Sequence, residues 1–312
     1  MQIVHNIETF KADWEYASLT LGVFDGIHLG HQALLKKIQI QKDSYKRVLV
    51  TYHPHPDLVL GKIKEEYGTE IFTYEEKLAL LQKYDIDVVV FLEFTKELAN
   101  TTAEDYLKKI LIDKLKAKFI VIGYDQCFGK NREGNYQFLL EKSKKYNFIV
   151  ERIEPVLYEG EVVSSSRIRE LLKKGEIEKA NQLLGKYFFI TGTVVKGFQR
   201  GRTIGFPTAN LDIPTTKVIP KIGVYRGYCE YGGIYYKAMI NIGYNPTFNN
   251  QLLSVEAHIL DFDKMIYGEQ IKFHFVDRLR DEKKFSGIEE LKEQLQKDKE
   301  KTMLLPPCEK CY

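Results

Sequence analysis

From about residue 18 to residue 151, short apolar runs alternate with segments whose apolar positions recur every three or four residues. LTLG, KRVLVTY, DVVVFL, KFIVIG and NFIVE are near-continuously apolar, as befits strands of a sheet covered on both faces. Between them, HQALLKKIQI, TYEEKLALLQKY, TAEDYLKKILIDKL and GNYQFLLEKSKKY have helical periodicity. This alternation predicts an α/β fold: a parallel, Rossmann-like sheet sandwiched by helices, with ligands at the carboxyl ends of its strands.

The period changes after VVSSSRIRELLKKGEIEKANQLLGKY. Glycine-punctuated strands follow (YFFITGTVVKG, VYRGYCEYGG, YYKAMINIG, LSVEAHILDF and QIKFHFVDRL), spaced as in an antiparallel barrel or sandwich. A boundary near residue 185 therefore predicts two domains, 1–184 and 185–312. A last amphipathic helix is expected from about Gly287 to Asp298, followed by a disordered tail.

The chain has 312 residues, enough for two ordinary domains with separate cores. Its 46 basic and 43 acidic side chains leave a formal net charge of +3. That balance does not favour a nucleic-acid partner. No apolar run approaches the roughly 20 residues that cross a bilayer, and MQIVHNIETF lacks the basic flank and apolar core of a leader. A cytoplasmic protein acting on small molecules is expected, with a weak homo-oligomer left open. Four cysteines are too few for a disulfide framework. Cys127 and Cys229 read as single thiols. Cys308 and Cys311 form a CxxC that is half of a zinc site, a redox pair or an unremarkable tail.

GVFDGIHLGH, Gly22 to His31, joins a predicted strand to a predicted helix. A helix start offers backbone N–H groups and a partial positive charge to a phosphate, and Gly22, Gly26 and Gly30 let the backbone approach it. His28 and His31 then stand close enough to act together on a pentavalent phosphorus centre; alternatively, both are helix-cap or surface histidines. Asp25 either orients the loop, helps recruit Mg²⁺ or forms an ordinary Asp-Gly turn. In SSSRIR, Ser164, Ser165 and Ser166 are placed to cap a helix. Arg167 or Arg169 could then reach phosphate oxygens with a fixed fork of donors.

HxGH followed by SSSRIR matches the signatures of the nucleotidyltransferase superfamily. Together with YHPHP (Tyr52 to Pro56) and GYDQCFG (Gly123 to Gly129), the first half resembles the FAD synthetase module of bacterial bifunctional riboflavin kinase/FAD synthetases. The resemblance implies transfer of AMP from ATP to FMN with release of pyrophosphate. It implies that His28, His31, Arg167 and Arg169 are catalytic, with Phe24, His55 and Asp125 among the substrate-contacting positions. Where many members have an aromatic and an arginine before FG, this chain has Gln126 and Cys127.

In the second half, KGFQRGRTIGFPTAN contains Gly197, Gly201 and Gly205, which could leave backbone N–H groups for a nucleotide or simply form a loop. Thr208 and Asn210 fall two apart in an extended segment after Pro207, so their oxygens face the same way and suit Mg²⁺. In LSVEAHILDFD, period two puts Val255, Ala257 and Ile259 on a core face and Ser254, Glu256 and His258 on the other. Glu256 could be a surface carboxylate or a general base. PTAN, INIGYNPTF, EAHILDF and FVDRLRDEKKF resemble bacterial riboflavin kinase, which phosphorylates the terminal ribityl hydroxyl of riboflavin with Mg-ATP. That resemblance assigns Glu256 to the general base and Thr208 and Asn210 to metal and phosphates. It also makes His258 and Arg280 candidates for contacts with substrate. The resemblance implies a two-step route from riboflavin through FMN to FAD; one silent module, or a regulator that binds without turnover, are the alternatives.

Overall fold

The structure, a computed structural model, describes residues 1–40, 44–62, 68–197, 200–246 and 251–308. Its chain contacts divide it into two compact units, Met1–Ser165 and Ser166–Tyr312.

The first unit is built on six strands: β1 (Gln2–Val4), β2 (Tyr16–Leu21), β3 (Tyr45–His53), β4 (Val88–Glu93), β5 (Ala117–Gly123) and β6 (Ile149–Ile153). They lie in the order β1-β4-β3-β2-β5-β6, and every pairing is parallel. The apolar runs are buried along their length, as in Val88, Val89, Val90, Phe91 and Leu92, because helices cover the sheet. Helix α1 (Leu29–Gln39) buries Leu34, Leu35 and Ile38. From β2 the chain steps outward to β3 and β4, then returns to the opposite side of β2 as β5. The strand order reverses there, which opens a crevice at the carboxyl ends of β2 and β5.

Two short strands, β7 (Leu157–Tyr158) and β8 (Glu161–Val162), form a hairpin. The second unit contains helices Ser165–Lys174 (which starts at the last residue of the first unit) and Ile177–Leu184. It closes a barrel from β9 (Phe188–Val195), β10 (Ala209–Asp212), β11 (Gly223–Tyr231), β12 (Ile234–Pro246), β13 (Gln251–Ile259) and β14 (Gln270–Arg280). Their order around the barrel is β10-β13-β12-β11-β14-β9, and all neighbours are antiparallel. On β13, Val255, Ala257 and Ile259 are buried while Ser254, Glu256 and His258 are half-buried, following the period of two.

The expectation at the carboxyl end is corrected. The last helix runs to Met303, not Asp298. Leu305 beyond it is buried, and Tyr228 Oη donates to the Pro306 carbonyl at 2.6 Å, so residues through 308 pack on the barrel. Hydrophobic packing orders this stretch without any regular period. Cys311, half of the CxxC, and Thr247 and Phe248 of INIGYNPTF lie outside the described residues.

Candidate active sites

In the first unit the segment after β2 leaves the carboxyl end of the strand at which the strand order reverses. His28 is the N-cap of α1: its Nδ1 accepts from the His31 backbone N–H at 3.4 Å. The two imidazoles stack with ring centroids 3.7 Å apart, and Phe24 stacks on His31 at 4.6 Å. Gly30 packs closely here: a Cβ there would lie 3.1 Å from His28 Cε1, so the imidazole would have to shift by a few tenths of an ångström. Phe24 and Ile27 have φ of 52° and 42°, around Gly26 at 86°. Left-handed backbone at two bulky side chains, both fully buried, is strain that the surroundings must hold in place.

The surroundings do so through polar contacts. Asp25 is 2% exposed, and its Oδ1 accepts from the backbone N–H groups of Ile71 (2.9 Å) and Phe72 (3.4 Å). Ser165 Oγ donates to the Asp25 carbonyl at 2.8 Å. Thr51 Oγ1 and Lys77 Nζ both donate to the Val23 carbonyl, at 2.9 and 3.1 Å. Burial draws the pKa of Lys77 down, opposed by the nearby charges of Asp25 and Glu70. Gln126 accepts from Gly123 N–H at 3.0 Å and donates to the Leu21 carbonyl. Thus Gln126 joins the ends of β2 and β5.

His55 is buried beyond β3 and caps the short turn that follows, its Nδ1 accepting from Asp57 N–H at 3.2 Å. Asp125 is exposed, and its carbonyl accepts from Arg132 at 3.4 Å. Ser164 is half-buried and Ser166 exposed, flanking Ser165. Arg167 and Arg169 are half-buried near the start of helix Ser165–Lys174, within the second unit.

In the barrel, Thr208, Asn210 and Glu256 line one cavity of about 630 Å³. Asn210 pairs with Glu256 across β10 and β13, and Thr208 Oγ1 donates to Glu256 Oε2 at 2.8 Å. Gly197 lies against Asn210, where a Cβ would come within 2.4 Å of Nδ2. Gly201 also lines the cavity, and Gly205 has the left-handed φ of 85° that turns the chain toward Pro207. His258 Nδ1 lies 2.8 Å from the Pro207 carbonyl, and burial lowers its pKa. Arg280 reaches the cavity wall while donating twice to one oxygen of the buried Asp298, at 2.9 and 2.8 Å. Burial raises the pKa of nearby Glu282, opposed by Arg280. A second cavity, about 370 Å³, shares Thr208 and adds Arg202, Lys264 and Tyr267.

Among the described residues, no cluster of three or more His, Cys, Asp or Glu is placed to hold a metal. A hydroxyl, an amide and a carboxylate on one wall do offer oxygen donors, fitting a Mg²⁺ ion that keeps water and substrate phosphate in its shell. Lys77, Thr51, Gln126 and Asp298 were missed by sequence reasoning. Each is polar and acts through tertiary contact, so periodicity gives no sign of it; only the oddity of GYDQCFG pointed near Gln126.

The FAD synthetase family matches residues 10–167, and the riboflavin kinase family matches residues 184–305. The bifunctional riboflavin kinase/FMN adenylyltransferase of Bacillus subtilis is 35% identical over 311 residues, covering 97% of this chain and 96% of its own. Its namesake from Listeria monocytogenes is 39% identical over 290 residues, covering 91% and 90%. A crystal structure described as a macrolide-efflux protein from Streptococcus pneumoniae superposes with a TM-score of 0.87 at 32% identity, covering 97% of this chain and 99% of its own. Among the described residues no helix is long and apolar enough to cross a membrane.

Proposed function

The chain belongs to the family of bifunctional riboflavin kinase/FMN adenylyltransferases, and on that premise we propose that it converts riboflavin to FMN and FMN to FAD, using ATP in both steps. The observation that carries this reading is the shared cavity wall of Thr208, Asn210 and Glu256, in a chain that also retains the capped histidine pair.

For the kinase, Glu256 accepts the proton of the terminal ribityl hydroxyl as its oxygen bonds to the γ-phosphorus of ATP; ADP leaves. The Thr208 hydrogen bond fixes the carboxylate in the cavity. Riboflavin fits the larger cavity, where Phe206 and Ile204 give apolar walls beside Glu256. The nucleotide fits the smaller one, where Arg202 and Lys264 favour phosphate. Thr208 and Asn210 would hold Mg²⁺, which neutralises phosphate charge when bound. Gly197, Gly201 and Gly205 shape the phosphate loop, and Arg280, through Asp298, fixes the far wall.

For the adenylyltransferase, a phosphate oxygen of FMN bonds to the α-phosphorus of ATP and pyrophosphate leaves. His28 and His31 donate to the α-phosphate oxygens on which negative charge develops, supported by the N-terminus of α1. Arg167 and Arg169 draw the departing phosphates. Gly22, Phe24, Asp25, Gly26 and Gly30 shape the loop, with Asp25 positioning it rather than touching phosphate. His55, Asp125 and Ser164 to Ser166 edge the substrate site. We assign the modules to 1–184 and 185–312, working in the cytoplasm on small molecules, without nucleic acid. Supplying each substrate separately tests this. Riboflavin with Mg-ATP should release ADP and FMN, and FMN with Mg-ATP should release pyrophosphate and FAD; failure of either reaction removes that half of the proposal.

A further inference from the structure

We infer that Lys77 is a positioning residue for AMP transfer: its ammonium, buried beneath the histidine loop, holds the Val23 carbonyl and so sets where His28 and His31 stand. The inference rests on the adenylyltransferase reading above.

Lys77 lies on helix Tyr74–Leu81, which begins in a capping box between Thr73 and Glu76 and is therefore well anchored. A lysine in the middle of TYEEKLALL would ordinarily face water, yet Lys77 is only 4% exposed. Burying an ammonium is unfavourable unless it is paired and hydrogen-bonded. Here the hydrogen bond goes to Val23, one residue before left-handed Phe24, and the opposing charges are those of Asp25 and Glu70.

The placement is specific. Val23 accepts from two side chains, Lys77 and Thr51, which reach it from a helix and from β3. Asp25 clamps the same turn to the backbone of Ile71 and Phe72, immediately before the Lys77 helix. Phe24 lies between these two anchors and stacks on His31, which stacks on His28. The Val23 carbonyl is thus one ring away from the histidine pair. Releasing it lets Phe24 leave its strained φ, and the imidazoles lose their backing. The buried positive charge also adds to the potential that a triphosphate meets at the start of α1.

The test uses the full-length protein with Lys77→Met, which keeps the length of the stem and removes the charge and donor. Adenylyl transfer from ATP to FMN should lose on the order of 100-fold in kcat, the effect of a small misplacement of catalytic groups, while KM for FMN changes less than about twofold. Riboflavin kinase turnover by the same preparation should be unchanged. Thr51→Val removes the other donor to the same carbonyl, and its effect in the double variant should be less than additive. Hydrogen exchange of residues 22–28 should quicken in Lys77→Met. Unchanged exchange, a kcat near that of the unaltered protein, or strictly additive losses would overturn the role of Lys77. If Lys77→Met fails to fold, Thr51→Val alone must lower kcat and quicken the same exchange; otherwise the proposal falls. If the unaltered protein forms no FAD, the adenylyltransferase reading is at fault instead, and the exchange comparison still decides whether Lys77 holds the loop.

Discussion

The hydroxyl of Thr208 donates to Glu256 at 2.8 Å, from an extended segment to a neighbouring strand of the same barrel. This bond gives a carboxylate on the cavity wall a fixed orientation.

Glu256→Gln keeps that shape and removes the carboxylate proposed as the base. FMN formation should fall by roughly 10²- to 10⁴-fold, the usual contribution of a positioned general base. FAD formation from added FMN should stay near its unaltered rate. Steady-state assays of both reactions on one preparation check this, and an intact kinase would show that Glu256 is not the base.

His28→Ala and His31→Ala should have the reverse selectivity. Each removes one ring of the stack and, on the proposed reading, a donor to the oxygens of the transferring phosphate, so FAD formation should drop at least about 100-fold. Phosphorylation of riboflavin should be spared. Equal loss of both reactions would show that the change acts on folding rather than chemistry.

Gly197→Ala places a methyl group where the Asn210 amide now lies. The amide must turn away, so kinase kcat should fall roughly tenfold or more, since catalysis is sensitive to small displacements. Measuring KM for Mg-ATP alongside kcat, with FAD formation as the control, shows whether phosphate and metal handling is the part affected.

Glu230 predicts a pH dependence of stability. It lies 2.9 Å from buried His274 and 3.0 Å from Lys272, and these contacts hold its pKa down at about 2. Its pKa is lower in the folded state than in the unfolded one. The stabilisation is therefore fully present above about pH 4.5 and is lost as pH falls toward about 2. Thermal unfolding at pH 7 and pH 3 should show Glu230→Gln less stable than the unaltered protein at pH 7, with the gap narrowing at pH 3. A constant gap would mean that ionisation of Glu230 does not contribute.

Much of this architecture is legible in the residues. The continuous apolar runs of β3, β4 and β5 and the alternation along β13 are direct consequences of burial on two faces and on one. His28 and His31 are legible too, because glycine spacing and a helix start constrain where they can lie. Strand β1 escapes notice, since three residues are too few to show a period. Lys77 and Leu305 escape for a different reason. Their burial is decided by distant parts of the chain, and a charged or isolated side chain does not reveal that locally. Asp25 is intermediate: Asp-Gly signals a turn, and only the fold shows its carboxylate holding Ile71 and Phe72.

With both sites on one chain, a single protein should carry riboflavin through FMN to FAD. The decisive experiment is a chromatographic time course with purified protein, riboflavin, excess ATP and Mg²⁺, scoring FMN and FAD separately. FMN should rise first and then give way to FAD. FMN that accumulates without FAD, even when FMN is supplied at the start, would contradict this and leave the histidine loop without its chemistry.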